Sequence, residues 1–516
     1  MILQQTTVGR MFQSTAARFP ERPCVETAEA VYSYAQTEEL TNRLAKKLAA
    51  MGFRKGSRVG IWCKDTPEFL CLYLALEKLG CVPVLLNTAL TGGEMAALLR
   101  KAEAAALFLD DGFKGVDFPA EAGAQGVSFI YIPDFFRTLP EWTEADAAAL
   151  EARYRAVQPG DADVIIFTSG TSGTSKGVLT THLARVNVAR VQAETIGMTE
   201  RDKCCVAVPL FHCFGLTGVA LAALQCGACL YFPPQRRTKQ LLEAISIHRC
   251  TVFSAVPTLY SALLARPDLG EYDLSSLRTG YIGGSMYTPE FFRQVEAALE
   301  MRLAPSLGQT EATAGLTFIS PDAPEEQRAP TVGRFLGGLE GKIQNLQTGE
   351  AQPIGESGEI CIRGWSVMTG YVNEPEKTRE AIDKDGWLHT GDLGWLDAAG
   401  CLHLSGRLKE LIIRGGENIS PGEIEAALLL DPRVREVKAV AVPDRHYGEE
   451  VCVCIVLREG AEQPKAEELK ALAAEKLAYY KIPRYFLFLD SLPKTGSGKL
   501  ALASLQKQAA EALNLT

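Results

Sequence analysis

The chain has 516 residues, 47% of them apolar and 22% charged, with a formal net charge of −9. Those are ordinary globular values, which excludes whole-chain disorder, a collagen-like fibre and a disulfide scaffold; at about 150 residues per domain the length predicts roughly three structural units. The acidic balance argues against a nucleic-acid binder, which would need a basic field.

The N-terminal segment has no long apolar core and no small-residue cleavage site, so no signal peptide is expected. From there strand-like and helix-like runs alternate. Residues 58–62 form a short apolar strand, 67–79 a helix with apolar residues at three- and four-residue steps, 82–86 a strand, 92–102 a helix and 106–110 a strand. Residues 164–167, Val-Ile-Ile-Phe, read as a buried strand ending in a glycine-rich loop. The run 210–232 is long and apolar enough to be weighed as a membrane span. His212, Gln225 and several glycines argue instead for a buried helix leading into a strand, and no transmembrane segment is expected. Cys226 and Cys229 make a CxxC, but no partner pair stands at zinc-finger spacing. The 14 cysteines sit mostly in apolar runs, as buried free thiols of a reducing, cytoplasmic setting would.

The alternation predicts an α/β fold: a large multi-layer N-terminal domain with mostly parallel sheets. Strands at 402–404 and 411–413 bracket Gly406 and Arg407, and beyond them the texture changes. Ser420-Pro421-Gly422-Glu423 reads as a capping box starting a helix through about Leu430. Strands near 438–442 and 451–457, a helix near 466–478 and a strand at 485–489 complete a small α+β domain. The predicted division is 1–406 and 407–516.

Six segments carry chemistry. Residues 168–177, Thr-Ser-Gly-Thr-Ser-Gly-Thr-Ser-Lys-Gly, follow a buried strand and combine glycines that admit an anion with hydroxyl and ammonium donors. This is not a Walker A loop, because no glycine precedes Lys176 and no Ser or Thr follows it. A flexible linker is the bland alternative, and its position directly after an apolar strand counts against it. His212 stands in apolar company, where a satisfied core histidine is the usual outcome. Thr310 and Glu311 pair a hydroxyl with a carboxylate, which suits Mg²⁺ beside a nucleotide phosphate; a simple turn is the alternative. Asp392, flanked by glycines, could accept from ribose hydroxyls or merely shape a turn. Residues 406–418 hold Arg407, Lys409 and Gly415-Gly416. Residues 493–499 put Lys499 on a glycine-rich C-terminal loop.

In this order and spacing the six segments resemble the adenylate-forming superfamily, within it the branch of fatty-acid and aryl-acid CoA ligases. The resemblance spans roughly residues 168–499. It implies that a carboxylate attacks the α-phosphate of ATP, giving acyl-AMP and pyrophosphate, and that CoA then displaces AMP while the small C-terminal domain swings between the two steps. ATP, Mg²⁺ and CoA are the implied cofactors and co-substrates. Thr168, Ser169, Gly170, Thr171, Ser172, Gly173, Thr174 and Lys176 correspond to the β,γ-phosphate cradle, and Gly283, Gly284 and Ser285 to the adenine turn. Leu307, Gly308 and Gln309 lead to Thr310, the phosphate-binding hydroxyl, and Glu311, the Mg²⁺ ligand, with Thr168 as a second metal contact. Asp392 corresponds to the ribose carboxylate, Arg407 to its neighbour, Lys409 to the hinge, Lys499 to the catalytic lysine and His212 to the gate of the acid or thiol path. One departure is Leu307, where the family usually places an aromatic residue on the adenine. The acid pocket is implied near 212–215, 283 and 307–315. Phe214, Leu216, Ala312, Ala314 and Gly315 there suit an apolar acid, medium, long or aryl, longer than acetate. The alternative is a stand-alone enzyme loading a carrier-protein phosphopantetheine thiol.

Overall fold

The computed structural model describes residues 1–113, 116–124, 128–168, 175–414, 417–445, 447–477, 479–494 and 500–515. The predicted early elements are there. The strand Arg58–Trp62 precedes the helix Pro67–Lys78, where Thr66 caps the Phe69 amide and Pro67 opens the first turn. The helix Gly92–Ala102 has a full capping box, Thr91 and Glu94 bonding reciprocally.

Two sheets organise the larger unit. One has seven strands, in the order Gly370–Tyr371, Lys176–Thr181, Ala162–Thr168, Val82–Leu85, Arg58–Trp62, Ala106–Leu109 and Phe129–Tyr131. Its last five strands run parallel, as the helical crossovers require. The other has nine strands, with a parallel centre through Arg302–Leu307, Thr279–Ile282, Val252–Phe253, Lys203–Cys205, Cys229–Tyr231 and Pro23–Glu26. Val164 and Ile165 are fully buried, as a continuous apolar strand covered on both faces must be.

The chain divides by compactness into two units. The first is Met1–Gly341 with Ile362–His389 and Gly400–Leu402; the second is Lys342–Cys361, Thr390–Ala399 and His403–Thr516. The second carries most of a four-stranded sheet (Glu340–Gln344, Gly358–Arg363, Leu388–Leu396, Leu402–Arg407). It also holds a five-stranded sheet around the long hairpin Val434–Asp444 and Gly448–Leu457. Compactness thus follows the sheets, whereas the 406/407 division follows the motifs.

The buried helix leading into a strand is there: residues 214–221 are a π-helix, continued by the α-helix Ala222–Cys226 and the strand Cys229–Tyr231. One local expectation needs correction. The capping box at Ser420 is not made: the helix Pro421–Leu428 starts where predicted, but the Ser420 hydroxyl donates to the Ser405 carbonyl, and Glu423 pairs with Lys481. None of the 14 cysteines is in a disulfide, and burial pushes the Cys226 and Cys229 thiols up to about 12. Among the described residues, no helix is long and apolar enough to cross a membrane.

Candidate functional site

In the first unit the strands Ala162–Thr168 and Lys176–Thr181 are antiparallel neighbours with Thr168 opposite Lys176, so the two ends of the glycine-rich segment are held together. Ser169, Gly170, Thr171, Ser172, Gly173 and Thr174 lie outside the described residues. The Lys176 ammonium sits 4.6 Å over the Tyr371 ring. The Tyr371 hydroxyl donates to Glu311 Oε1 at 2.9 Å. Tyr371 is buried, and that burial together with the Glu311 carboxylate pushes its phenol well up, so it stays a donor at neutral pH. Glu311 is half-buried on the short turn Thr310–Ala312. A carboxylate held through one of its oxygens by the Tyr371 hydroxyl is a hard oxygen donor of the kind that suits Mg²⁺.

Thr310 is buried and its hydroxyl donates to Cys213 Sγ at 3.6 Å. That contact joins the Thr310–Glu311 turn to the His212 segment. His212 is half-buried, and its carbonyl accepts from the Leu216 amide at 2.9 Å as the π-helix begins. Ahead of it the Leu210 amide donates to Asp65 at 2.6 Å, and Asp65 pairs with Arg236 at 2.9 Å. From the other side Arg185 reaches the π-helix. Its Nη1 donates to Thr217 at 2.6 Å, its Nε pairs with Asp163 at 2.5 Å, and Thr180 donates to the other Asp163 oxygen at 2.7 Å. Asp163 lies near the start of the strand that ends in Thr168, so one buried guanidinium links the π-helix to that strand. π-turns are rare and recur where a helix must present side chains to a site.

Gly283 and Gly308 follow neighbouring parallel strands, Thr279–Ile282 and Arg302–Leu307, with Ile282 opposite Pro305. The crevice beyond the C-terminal ends of parallel strands is the usual ligand position in such sheets. Both glycines are required by close approach. A Cβ on Gly283 would lie 2.7 Å from the Ser306 carbonyl oxygen, and one on Gly308 2.2 Å from that of Ala314. Gly284 and Ser285 are exposed beside them, and Gln309 precedes the Thr310 turn. Leu307 is half-buried; its amide donates to the Thr317 hydroxyl at 3.2 Å, and its side chain leans on a cluster with Ala312 and Leu316. Phe214 is half-buried and Leu216 fully buried. The room expected at Gly315 is taken: a Cβ there would meet the Phe318 ring at 2.7 Å and Val188 at 3.1 Å.

The second unit holds the other candidates. Asp392, on the strand Leu388–Leu396, is buried and pairs with Arg407 Nε at 2.9 Å, while the Arg407 side chain is 62% exposed. The turn before Asp392 is pinned: Thr390 donates to the Ile360 carbonyl at 2.7 Å and accepts from the Asp392 amide at 3.1 Å, and the Gly391 amide donates to Glu359 at 3.0 Å. Lys409 is exposed on the turn Leu408–Glu410. Next to it Glu410 pairs with Lys438 at 2.7 Å, and Lys438 also pairs with Glu425 at 3.1 Å. Burial pulls the Lys438 ammonium down, but the two carboxylates outweigh it and hold the pKa up. Lys499, Gly415 and Gly416 lie outside the described residues.

Sequence reasoning missed Tyr371, Cys213, Asp65 and the Arg185–Asp163–Thr217 network. Tyr371 is sixty positions from Glu311, and nothing local in Gly-Tyr-Val-Asn announces the pairing.

The comparisons with known proteins cover nearly the whole chain. The AMP-binding enzyme family matches residues 12–372, and the AMP-binding enzyme C-terminal domain matches 423–499. A putative acyl-CoA synthetase of Bacillus subtilis, YngI, is 36% identical over 545 residues, spanning 100% of this chain and 99% of that protein. The human mitochondrial medium-chain acyl-CoA ligase ACSF2 is 33% identical, spanning 99% of this chain and 89% of that protein. Among solved structures, the o-succinylbenzoate CoA synthetase of Bacillus subtilis with its acyl-adenylate superposes with a TM-score of 0.83 at 29% identity, covering 98% of this chain and 99% of that one. Family matches over both parts of the chain, with relatives and folds matched end to end, make this protein a member of the AMP-binding, adenylate-forming enzymes.

Proposed function

We propose that the protein is an AMP-forming acid–thiol ligase that activates an apolar carboxylic acid with ATP and passes the acyl group to CoA. The observation that carries the reading is the corner made by Lys176, Tyr371 and Glu311, within a chain whose full-length relatives are named acyl-CoA synthetases and ligases. The acid carboxylate attacks the α-phosphorus of ATP, the bond to the β-phosphate breaks and pyrophosphate leaves. The CoA thiolate then attacks the acyl carbonyl, and AMP leaves with the electron pair of its bond to the acyl carbon. Both steps bring anions together, so fixed positive charge and aimed donors supply most of the catalysis.

In this reading Lys176 and the hydroxyls of 168–174 face the β- and γ-phosphates. Glu311, with the Thr168 hydroxyl, would hold Mg²⁺, whose charge offsets that of the phosphates. The Tyr371 hydroxyl holds one Glu311 oxygen and so aims the other. Gly283, Gly284 and Ser285 border the adenine, Leu307, Gly308 and Gln309 flank it, and Thr310 binds phosphate. Asp392 accepts from the ribose hydroxyls beside Arg407. His212 gates the acid path. Lys499 steadies the charge developing on the α-phosphate, and the chain hinges at Lys409, with 1–406 and 407–516 as the bodies that alternate. The apolar substrate rests on Phe214, Leu216 and Ala314 and on the lack of fixed charge among them; a medium-chain or aryl acid fits best. The fourteen thiols without a disulfide favour a reducing compartment such as the cytoplasm, and the medium-chain acyl-CoA ligases among the relatives favour a place in fatty-acid metabolism.

The decisive experiment is pyrophosphate release over a panel from acetate to long-chain and aryl acids, followed by thioester assay with CoA or a phosphopantetheinyl carrier. Apolar acids and CoA are the expected best substrates. Best turnover of acetate or an amino acid refutes the pocket, and thioester on the carrier alone makes this a carrier-loading enzyme. Lys499→Ala is expected to cut pyrophosphate release by about 10²–10³-fold while thioesterification of supplied acyl-AMP survives; equal loss of both steps removes the role given to Lys499.

A further inference from the structure

We propose that Lys101 is a positioning residue of the adenylation step, clamping the strand that carries Lys176 to the segment that carries Tyr371. This rests on the function proposed above. Lys101 lies in the last turn of the helix Gly92–Ala102. Its ammonium donates to the Ser175 carbonyl at 2.5 Å and pairs with Glu374 Oε2 at 2.6 Å. The backbone adds a third tie, since Asn373 Nδ2 donates to the Lys101 carbonyl at 2.9 Å.

Each contact sits next to a group of the site. Ser175 adjoins Lys176, whose ammonium covers the Tyr371 ring. The Glu374 amide donates to the Tyr371 carbonyl at 3.2 Å, and the Tyr371 hydroxyl holds Glu311. One lysine therefore adds a side-chain tie, at Ser175 and Glu374, to two paired strands that set the phosphate-facing cation and the metal-facing carboxylate. An ammonium suits the place because it has three donors and no acceptor, and here it meets a carbonyl and a carboxylate at once. Neither partner is fully open to water: the side chains of Lys101 and Glu374 are 22% and 15% exposed. Burial pushes the Glu374 carboxyl up, but Lys101 and Lys377 outweigh that and hold it below the ordinary range. An apolar replacement would leave both acceptors facing each other; the two strands stay paired through Val178–Tyr371 and Leu179–Gly370, so the fold survives while the ends that carry Ser175 and Glu374 lose their fixed spacing.

The consequence is specific to one half-reaction. Adenylation uses Lys176 and Glu311 on the β- and γ-phosphates, whereas thioesterification of acyl-AMP has no such phosphates to hold. In the full-length protein K101M is expected to raise the ATP KM about tenfold and to slow acid-dependent pyrophosphate release. The acid KM, the rate of acyl-CoA formation from supplied acyl-AMP and the thermal midpoint should be close to wild type. K101R, which keeps the charge, should recover most of the loss. An unchanged ATP KM overturns the proposal, and so does equal loss in both half-reactions, which would make Lys101 a support of the fold alone. If K101M does not fold, E374Q carries the same test: a raised ATP KM with intact thioesterification supports the clamp, and an unchanged ATP KM overturns it. Calorimetric ATP binding separates this from the proposed function. Wild type that binds ATP but activates no acid refutes the ligase reading, while weaker ATP binding by K101M still supports the clamp and equal binding still overturns it.

Discussion

Two guanidinium–carboxylate pairs show how the same chemistry serves two ends. Arg185 and Asp163 are sealed, with side chains 1% and 0% exposed, and Thr180 and Thr217 take up further valences of the cluster. Arg407 and Asp392 are sealed on one side only: the carboxylate is 6% exposed and the guanidinium 62%. A sealed pair has no room for a ligand and acts on shape, here by tying the π-helix to the strand below Thr168. A pair open on the cationic side can exchange its partner for a substrate hydroxyl or phosphate without uncovering the carboxylate. Burial alone therefore does not mark function, since it is the less buried pair that leaves a cation open to a ligand.

The largest expected effect breaks the sealed pair. Arg185→Met leaves Asp163 charged with only the Thr180 hydroxyl, and loss of one partner of a buried pair costs about 3–5 kcal/mol. The urea midpoint should fall accordingly, and a loss under about 1 kcal/mol, the range of exposed pairs, would show that water reaches the site.

The open pair should behave the opposite way. Arg407→Met is expected to shift the thermal midpoint little, as exposed substitutions do, yet to raise the ATP KM by about tenfold, the worth of one charged hydrogen bond. Asp392→Asn, which keeps shape and removes charge, should act in the same direction. A large stability loss in Arg407→Met with unchanged ATP kinetics would put this pair in the same class as Arg185–Asp163.

A second sealed pair adds a pH signature. Glu77 and His182 are fully buried, with His182 Nδ1 3.1 Å from Glu77 Oε2. Burial pushes the Glu77 carboxyl from 4.5 up to about 7, against the opposing pull of His182. Burial lowers His182, but Glu77 and the nearby Asp163 outweigh it, so its pKa lies above 6.5. Both folded values are raised, so the folded state holds protons that the unfolded chain releases. Their contribution is fully present below the unfolded values and is lost as pH rises through about 7. Wild type should lose thermal stability between about pH 5 and 8 more steeply than Glu77→Gln, which has no carboxyl to titrate. Parallel slopes would mean that the pair holds its protons equally in both states.

The difference between the two regions also explains what was legible in the sequence. Asp392, Arg407, Glu311 and the glycine-rich segment could be singled out because ligand chemistry demands particular residue types at strand ends. Gly283 and Gly308 are placed only by the family resemblance; the structure supplies their reason, a backbone approach to Ser306 and Ala314 that admits no Cβ. Arg185 lies in a helix of unremarkable pattern, and its partners are fixed only when a strand, a helix and the π-helix meet. The π-helix itself hides in a run that is apolar on every side, where no period distinguishes one helical pitch from another. At Ser420 the helix start was legible but the partner was not, because a carbonyl fifteen residues away competes better than the local cap. Tyr371 and Lys101 act through contacts across long stretches of chain, and a single sequence contains no trace of such distances.

The smallest expected effect concerns Leu307, in the first unit, proposed above to flank the adenine. Leu307 stands where a stacked aromatic is usual in this family, at the end of the strand Arg302–Leu307, with its amide fixed by Thr317. A leucine covers a base by contact area but lacks the ring face, a difference of roughly 0.5–1.5 kcal/mol. Leu307→Tyr is therefore expected to lower the ATP KM by up to about tenfold. The acid KM should stay put, because the change concerns the nucleotide alone. The thermal midpoint should also move little, since Leu307 is only half-buried and its backbone bond survives the substitution. Measured with ATP and with a triphosphate lacking the purine, the gain should appear for ATP only. A gain of equal size for both would mean that residue 307 acts on the phosphates through the Thr310 turn, and no gain at all would mean that the base rests on another surface, such as that beside Gly283.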